Sequence, residues 1–191
     1  MSINDIHINE KHNVINILAS IALSNIKIKK IDFLIRSVSD YSGELYRLNF
    51  TNIIENIFFI NDSKSTNIGS MKAAIDSIEN KKLILILGGN SKNQKFNILF
   101  KSFKKKIFAV IIIGYDSKKI FKDLKKTELL FMYAYSVDDA INIAYSLSKF
   151  HYSVLFSPSC SSHDMFKNYI HRGKKFEEEI KYLLINYGEI K

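Results

Sequence analysis

Three short polar clusters hold most of the side chains in this sequence that could take part in chemistry. They are Asn61-Asp62-Ser63-Lys64-Ser65-Thr66-Asn67, Gly88-Gly89-Asn90-Ser91-Lys92 and Ser157-Pro158-Ser159-Cys160-Ser161-Ser162. Lysine ammonium groups supply positive charge to an anion, and hydroxyl groups supply hydrogen bonds. The clusters together therefore indicate a pocket for a small dianion, and an amino acid with two carboxylates would suit it.

The first cluster could present three functional groups to one side. Asp62, Lys64 and Thr66 alternate along the chain, so their side chains share a face if the preceding strand continues through them. Thr66 or Asn67 is also suited to cap a following helix. The alternative is a capped turn with a solvated Lys64, which is the commoner structure. By itself, this cluster is weak support for a site.

The second cluster follows an apolar run that is typical of a buried strand. Gly88 and Gly89 would let the backbone approach a ligand closely, and Lys92 would present a compact positive charge to an anion. A plain strand-to-helix turn explains the same residues equally well. The cluster is not a P-loop, because the spacing of that motif occurs nowhere in the sequence.

The third cluster leads into a segment that we expect to be helical from Asp164 onwards. Free backbone N–H groups at a helix N-terminus favour a carboxylate or phosphate, and Ser162 is placed to add a hydrogen bond. Alternatively, Ser161 or Ser162 is only the N-cap, and His163 lies at the surface. Cys160 has no recognisable His and carboxylate partners, so we interpret it as a small buried hydrophobic residue rather than a nucleophile.

The elements that must position these clusters begin with two helices, from Asn13 to Ser24 and around Ile31 to Val38. A turn follows at residues 40–43, and we place a domain boundary there. Beyond it, the pattern predicts strands at 45–53, 57–60, 82–87, 107–113, 129–135 and 153–156, and helices at 68–78, 96–103, 118–124, 137–150 and from 164 to the end. The first two strands should form a hairpin.

Strands with unbroken apolar runs that alternate with helices are typical of a Rossmann-like α/β fold. Such a fold has a mainly parallel sheet with helices on both faces. Its ligands bind beyond the carboxyl ends of the strands, which is where all three clusters fall. We therefore expect the three clusters to meet at one edge of the sheet.

Composition narrows the class of protein. Of the 191 residues, 47% are hydrophobic and 25% are charged, as in folded globular proteins. The single cysteine, the lack of a targeting signal and the lack of a membrane-spanning apolar run predict a cytoplasmic protein that does not enter membranes. The net charge of +9 is mostly lysine spread along the chain, so we attribute it to composition rather than to a nucleic-acid partner.

Five strings occur in an order and spacing that resemble one enzyme family. They are HNVINILASIA, YRL, NDSKSTN, LILGGNSK and LFSPSCSSHDMFKNYIHRGKKFEE, and the last is the most specific. From about Lys11 to Phe176, the sequence is similar to the C-terminal part of Mur ligases of the D-glutamate-adding type. The resemblance implies that residues 1–43 are the closing helices of the family's central ATPase domain and that residues 44–191 are its D-glutamate-binding domain.

The resemblance also implies an activity and its partners. Such ligases use ATP and Mg²⁺ in peptidoglycan biosynthesis to convert a carboxylate of UDP-MurNAc-L-Ala into an acyl phosphate, which the amine of D-glutamate attacks. Thr66 and Lys92 match the residues that hold one carboxylate of D-glutamate, and Ser162 and the backbone N–H of Tyr169 match those that hold the other. The residues that match nucleotide-binding positions are Asn13, Asn16, Arg47, Asp62 and Lys64.

The sequence departs from the family pattern in two residues and in its extent. Asn90 stands where an Asp is expected, and His163 stands where apolar or aromatic residues are usual. The UDP-sugar domain, the P-loop and the metal ligands have no counterpart, so we identify no catalytic or metal-binding residue. We expect this chain alone to be inactive. It would be either part of a split enzyme with a separate N-terminal chain or the product of a truncated gene. Alternatives are a non-catalytic binding remnant and a related ligase that adds another amino acid.

Overall fold

The structure is a computed structural model that describes residues 11–23, 31–41, 43–78, 82–97, 103 and 105–187. The chain divides into two compact units, Met1–Leu45 and Tyr46–Lys191. The first unit contains α1 (Lys11–Leu23) and α2 (Ile31–Ser39), as the helical spacing of their apolar residues predicts. The predicted last residue of the first helix, Ser24, lies outside the described residues.

The second unit is built on one sheet of six strands in the order β1-β2-β6-β3-β4-β5. The strands are β1 (Asn49–Ile54), β2 (Ile57–Asn61), β3 (Leu83–Gly88), β4 (Ile107–Ile113), β5 (Leu130–Tyr133) and β6 (Ser153–Phe156). The helices are α3 (Ile68–Ser77), α4 (Ser117–Leu124), α5 (Val137–Leu147) and α6 (Tyr169–Tyr187), and a 3-10 turn spans Lys125–Thr127. Only β1 runs antiparallel to its neighbour, so the predicted mainly parallel sheet is confirmed.

The two faces of the sheet carry separate hydrophobic cores. Leu83, Leu85 and Leu87 of β3 point to the face that packs against α3 and α4, whereas Ile84 and Ile86 point to the face that packs against α5 and α6. Every residue of β3 is buried. The unbroken apolar run of this strand is therefore explained by helices on both of its sides, as predicted.

The hairpin of β1 and β2 is confirmed, but its first strand starts later than predicted. Glu55 and Asn56 form a two-residue turn with φ of 48° and 61°, which suits a tight hairpin. Before the hairpin, Tyr46 and Leu48 have φ of 63° and 52°. A left-handed backbone cannot continue a strand, so β1 begins only at Asn49.

The last helix also starts later than predicted. The segment from Asp164 to Asn168 consists of turns and bends, and α6 begins at Tyr169. The side chain of Asn168 accepts a hydrogen bond from the backbone N–H of His171 at 2.8 Å, which caps the helix. The other predicted elements agree to within a few residues, except that most of the helix predicted at 96–103 falls outside the described residues.

Candidate functional site

The three polar clusters follow β2, β3 and β6, which are neighbours in the sheet. Strands β2, β6 and β3 run parallel, so their carboxyl ends lie at the same edge. The backbone N–H of Gly88 donates to the carbonyl of Pro158 at 3.0 Å, and Asn90 pairs with Ser161 in an isolated bridge. The expectation that the clusters meet at one edge of the sheet is confirmed.

The loop after β2 begins with a buried carboxyl group. Asp62 is only 3% exposed and accepts hydrogen bonds from the Ser157 hydroxyl at 2.7 Å and from the Leu48 backbone N–H at 3.3 Å. Burial raises the pKa of Asp62 to about 6, although these hydrogen bonds and the charge of Arg47 act to lower it. Asp62 thus joins the loops after β2 and β6.

The expected alternation of Asp62, Lys64 and Thr66 on one face is wrong, because β2 ends at Asn61 and the chain turns. Asp62 is buried, Thr66 is exposed, and the Lys64 ammonium lies 5.7 Å from the centre of the Tyr169 ring. That distance permits a cation–π interaction. The turn therefore brings Lys64 to the start of α6, next to a residue of the predicted D-glutamate site.

A helix cap follows in the same loop, as the sequence predicts. The side chain of Asn67 accepts a hydrogen bond from the backbone N–H of Ser70 at 2.9 Å. This bond satisfies one of the first N–H groups of α3. Asn67 is therefore the cap, and Thr66 is left at the surface with its hydroxyl outside the capping interaction.

The two glycines at the end of β3, Gly88 and Gly89, approach other parts of the chain, whereas the sequence predicts that they approach a ligand. A side-chain carbon on Gly88 would lie 1.9 Å from the carbonyl oxygen of Ile113, and one on Gly89 would lie 2.5 Å from that of Ser161. Their φ values of 134° and 125° also favour glycine. These glycines therefore let the end of β4 and the loop after β6 pack closely against the end of β3.

Lys92 lies at the tip of the loop after β3. It is exposed, with a left-handed φ of 47°, and its backbone N–H donates to the side chain of Asn90 at 3.1 Å. Asn90, the departure from the expected Asp, thus supplies an acceptor that shapes the turn before Lys92. An Asn side chain can make this bond without adding a negative charge beside the ammonium group.

Ser162 is buried, but it does not lie at the N-terminus of α6, so its expected position at a helix start is wrong. Its carbonyl accepts from the backbone N–H groups of Met165 and Phe166, which closes a single turn of chain. The N-terminus of α6 is instead at Tyr169, whose N–H is in the first turn and has no acceptor within the helix. This N–H, rather than those near Asp164, is the helix donor available to an anion.

A buried arginine joins two of the loops, and the sequence had not indicated it. Arg172 on α6 is 1% exposed and donates to the carbonyl of Ser63 at 2.7 Å and to that of Cys160 at 3.0 Å. Burial lowers its pKa to about 10, so the guanidinium stays charged at neutral pH. Next to it, a side-chain carbon on Gly173 would lie 2.6 Å from the Ser63 hydroxyl, so a glycine allows close contact.

Gln94 connects all three loops and was also missed. Its side-chain oxygen accepts from the backbone N–H of Ile68 at 2.8 Å, and its side-chain nitrogen donates to the carbonyls of Ser91 at 3.1 Å and Ser159 at 2.9 Å. An amide has both donors and acceptors, so one side chain can satisfy groups from three segments. No sequence motif that we considered singles out this residue.

The remaining predicted residues lie at several places. Cys160 is buried, and burial raises the pKa of its thiol to about 12, which agrees with a hydrophobic role. His163 and Arg47 are exposed. In the first unit, Asn16 is exposed and its carbonyl accepts from the Ser20 hydroxyl, whereas the side chain of Asn13 lies outside the described residues.

In the part of the chain that the structure describes, no group of three or more His, Cys, Asp or Glu side chains is arranged to hold a metal ion. None of the described helices has the length and apolar character needed to cross a membrane.

Comparison with known proteins identifies the family. The family model described as Mur ligase, glutamate ligase domain matches residues 46–160. This chain belongs to the Mur ligase family. The match covers β1 to β6 and the loops after β2 and β3, and it ends at Cys160, within the loop after β6.

Two relatives of this chain have the same name. The chain is 34% identical over 190 residues to UDP-N-acetylmuramoylalanine–D-glutamate ligase of Bordetella avium, covering 100% of this chain and 37% of the relative. It is 35% identical over 186 residues to the enzyme of that name from Coxiella burnetii, covering 96% of this chain and 42% of the relative. The chain thus spans about two fifths of the length of these relatives.

The fold agrees with that of a solved family member. The crystal structure of UDP-N-acetylmuramate-alanine ligase from Thermotoga maritima superimposes with a TM-score of 0.64 at 16% sequence identity, covering 93% of this chain and 40% of that one. This likeness supports the α/β fold described above. At such low identity, it carries no information on the amino acid that this domain takes.

Proposed function

We propose that this chain supplies the D-glutamate-binding part of a UDP-N-acetylmuramoyl-L-alanine:D-glutamate ligase in peptidoglycan biosynthesis. The observation that carries the proposal is the convergence of the loops after β2, β3 and β6, which hold the four residues that match D-glutamate-binding positions. They are Thr66, Lys92, Ser162 and Tyr169. The identity of about a third with ligases of this name supports the same substrate.

Each carboxylate of D-glutamate would have its own donors. The Lys92 ammonium and the Thr66 hydroxyl are exposed at the tips of two loops and would hold one carboxylate. The Ser162 hydroxyl and the Tyr169 backbone N–H, at the start of α6, would hold the other. Arg172 and Gln94 keep the loops together without themselves being the proposed ligands. Binding would then orient the amine of D-glutamate for attack on an activated carboxylate.

The nucleotide would lie next to this site. Arg47 and Lys64 would supply positive charge for phosphates. Asp62 matches a ribose-side position of the family, but its carboxyl group is buried and accepts from Ser157 and Leu48. In this reaction ATP supplies the phosphoryl group that activates the carboxylate. The Mg²⁺ ligands, the P-loop and the UDP-sugar site are proposed to reside on a segment beyond this sequence or on a separate chain.

Calorimetry with D-glutamate tests the proposal. We expect a dissociation constant in the millimolar range, because in such enzymes a site is often completed by domain closure, and no heat with L-glutamate. Lys92→Met should weaken binding by about tenfold, the size of one lost charged hydrogen bond. The matched control is Lys95→Met, which removes another exposed lysine from the same loop and should leave the affinity unchanged.

Two outcomes would contradict the proposal. Equal affinity for the two enantiomers of glutamate, or equal weakening by Lys92→Met and Lys95→Met, would show that the loops supply only general positive charge.

A ligase assay then tests the whole activity. Phosphate release that depends on D-glutamate and UDP-MurNAc-L-Ala should appear when a chain with the P-loop and UDP-sugar domain is added, and its absence would favour a non-catalytic binding module.

A further inference from the structure

A cleft of about 590 Å³ opens beyond the carboxyl ends of β4 and β5, next to the three loops described above. Its volume is in the range of small-molecule sites. The side chains that matter here are Tyr115, Ser117, Lys118, Tyr133, Tyr135 and Asp164. None of them matches a D-glutamate or nucleotide position, so the function proposed above does not use these side chains.

Three tyrosines line the cleft, together with the apolar residues Ala134 and Met165. Tyr115 is 82% exposed and Tyr135 is 94% exposed, although both follow well-formed strands. The centre of the Tyr133 ring lies 5.6 Å from that of Phe121, and the backbone N–H of Tyr135 donates to the Asp139 carboxylate at 2.9 Å. Such rings offer large contact area and hydroxyl groups at a low cost in side-chain entropy.

The cleft also contains one cationic group, the Lys118 ammonium, and one carboxylate, that of Asp164. Asp164 accepts the backbone N–H of Tyr115 through Oδ2 at 2.9 Å, and its Oδ1 accepts no hydrogen bond from the described residues. The Lys118 ammonium and the Ser117 hydroxyl likewise have no partner among the residues that the structure describes. Asp116, whose carboxylate accepts from Ser91, does not line the cleft.

We propose that this cleft binds a free α-amino acid with an aromatic side chain, at a site that uses none of the four residues proposed to bind D-glutamate. Lys118 and Ser117 bind its carboxylate, Asp164 Oδ1 accepts from its ammonium group, and the tyrosine rings pack against its side chain. A dicarboxylate such as glutamate suits the cleft less well, because Asp164 repels a second negative charge and the rings offer it few donors.

NMR titration of the chain with L-phenylalanine tests the inference. Two probes each lack one charged group of phenylalanine: 3-phenylpropionate lacks the ammonium group, and phenethylamine lacks the carboxylate. We expect millimolar binding of phenylalanine and about tenfold weaker binding of each probe. Lys118→Met and Asp164→Asn should each weaken phenylalanine binding by about tenfold. The Asn side chain can still accept from the Tyr115 N–H, so that contact is retained.

Lys119→Met is the matched control, because Lys119 is the next residue on α4 and its ammonium donates to Asn93 outside the cleft. It should leave phenylalanine binding unchanged. The inference is overturned if phenylalanine causes no shifts at Tyr115, Lys118 and Tyr135, if the two probes bind as well as phenylalanine, or if Lys119→Met weakens binding as much as Lys118→Met. Displacement of phenylalanine by D-glutamate would also overturn it, because the two ligands would then share one site.

Discussion

The two halves of the carboxyl edge of the sheet are built in different ways. At β2, β6 and β3, the loops are joined by buried polar side chains, with Arg172 only 1% exposed. At β4 and β5, the cleft is lined mainly by exposed or half-buried side chains, and Tyr135 is 94% exposed. A buried polar network is costly to break, whereas exposed rings contribute little to stability. The first half should therefore tolerate few substitutions, and the second should tolerate many.

The largest expected effect is at Arg172. Arg172→Met would leave the carbonyls of Ser63 and Cys160 buried without their donors, which we expect to lower the free energy of unfolding by about 3 kcal/mol. Urea unfolding followed by circular dichroism measures this change. Arg172→Lys is the control, since an ammonium group can still donate to one of the two carbonyls and should restore part of the stability. An unchanged unfolding midpoint for Arg172→Met would show that the two loops do not need this arginine.

The next effect concerns Asp62 and the pH. Its pKa is raised from 3.8 to about 6 in the folded state, so the folded protein binds the proton more tightly than the unfolded chain does. The stability that this group contributes is present below about pH 4 and is lost as the pH rises through about 6, by about 3 kcal/mol in total.

Asp62→Asn isolates this contribution. The wild-type protein should lose stability relative to Asp62→Asn as the pH rises from 4 to about 7, and urea unfolding at several pH values measures the difference. Asn can still accept from Leu48 and donate to Ser157, which keeps both contacts. A difference that is constant with pH, or that changes in the opposite direction, would contradict the raised pKa.

The smallest expected effect is at the cleft. Tyr135→Ala should change the free energy of unfolding by less than about 0.5 kcal/mol, because the ring is almost fully exposed. The same urea experiment checks this value. If Tyr135→Ala destabilised the protein as much as Arg172→Met does, the contrast between the two halves of the sheet edge would be wrong.

The spacing of apolar residues predicted the sheet and its helices well, because a strongly apolar run is compatible with few structures other than a buried strand. The run in β3 is buried on both faces of the sheet. An apolar run of this kind predicts both the strand and the helices that cover its two sides. Boundaries were harder to place. The residues before β1 look apolar enough for a strand, but the left-handed backbone at Tyr46 and Leu48 depends on tertiary contacts, among them the hydrogen bond from Lys64 to the Tyr46 carbonyl.

The site was predicted less completely than the fold. Polar clusters after strands identify loops that can meet, and the three loops do meet. Arg172 and Gln94 were missed because their partners are backbone carbonyl and N–H groups, which every residue has and no sequence pattern marks. The predicted role of Gly88 and Gly89 was wrong for a different reason. Close approach to a neighbouring part of the chain requires the same residue type as close approach to a ligand.

An NMR titration with D-glutamate that follows backbone amides tests the central claim most directly. We predict that the amides of Lys64 to Thr66, Asn90 to Lys92 and Ser162 to Tyr169 shift together with a single dissociation constant, and that L-glutamate does not produce these shifts. Shifts confined to one loop, or different dissociation constants for the three loops, would contradict the claim that they form one site for a single dicarboxylate amino acid.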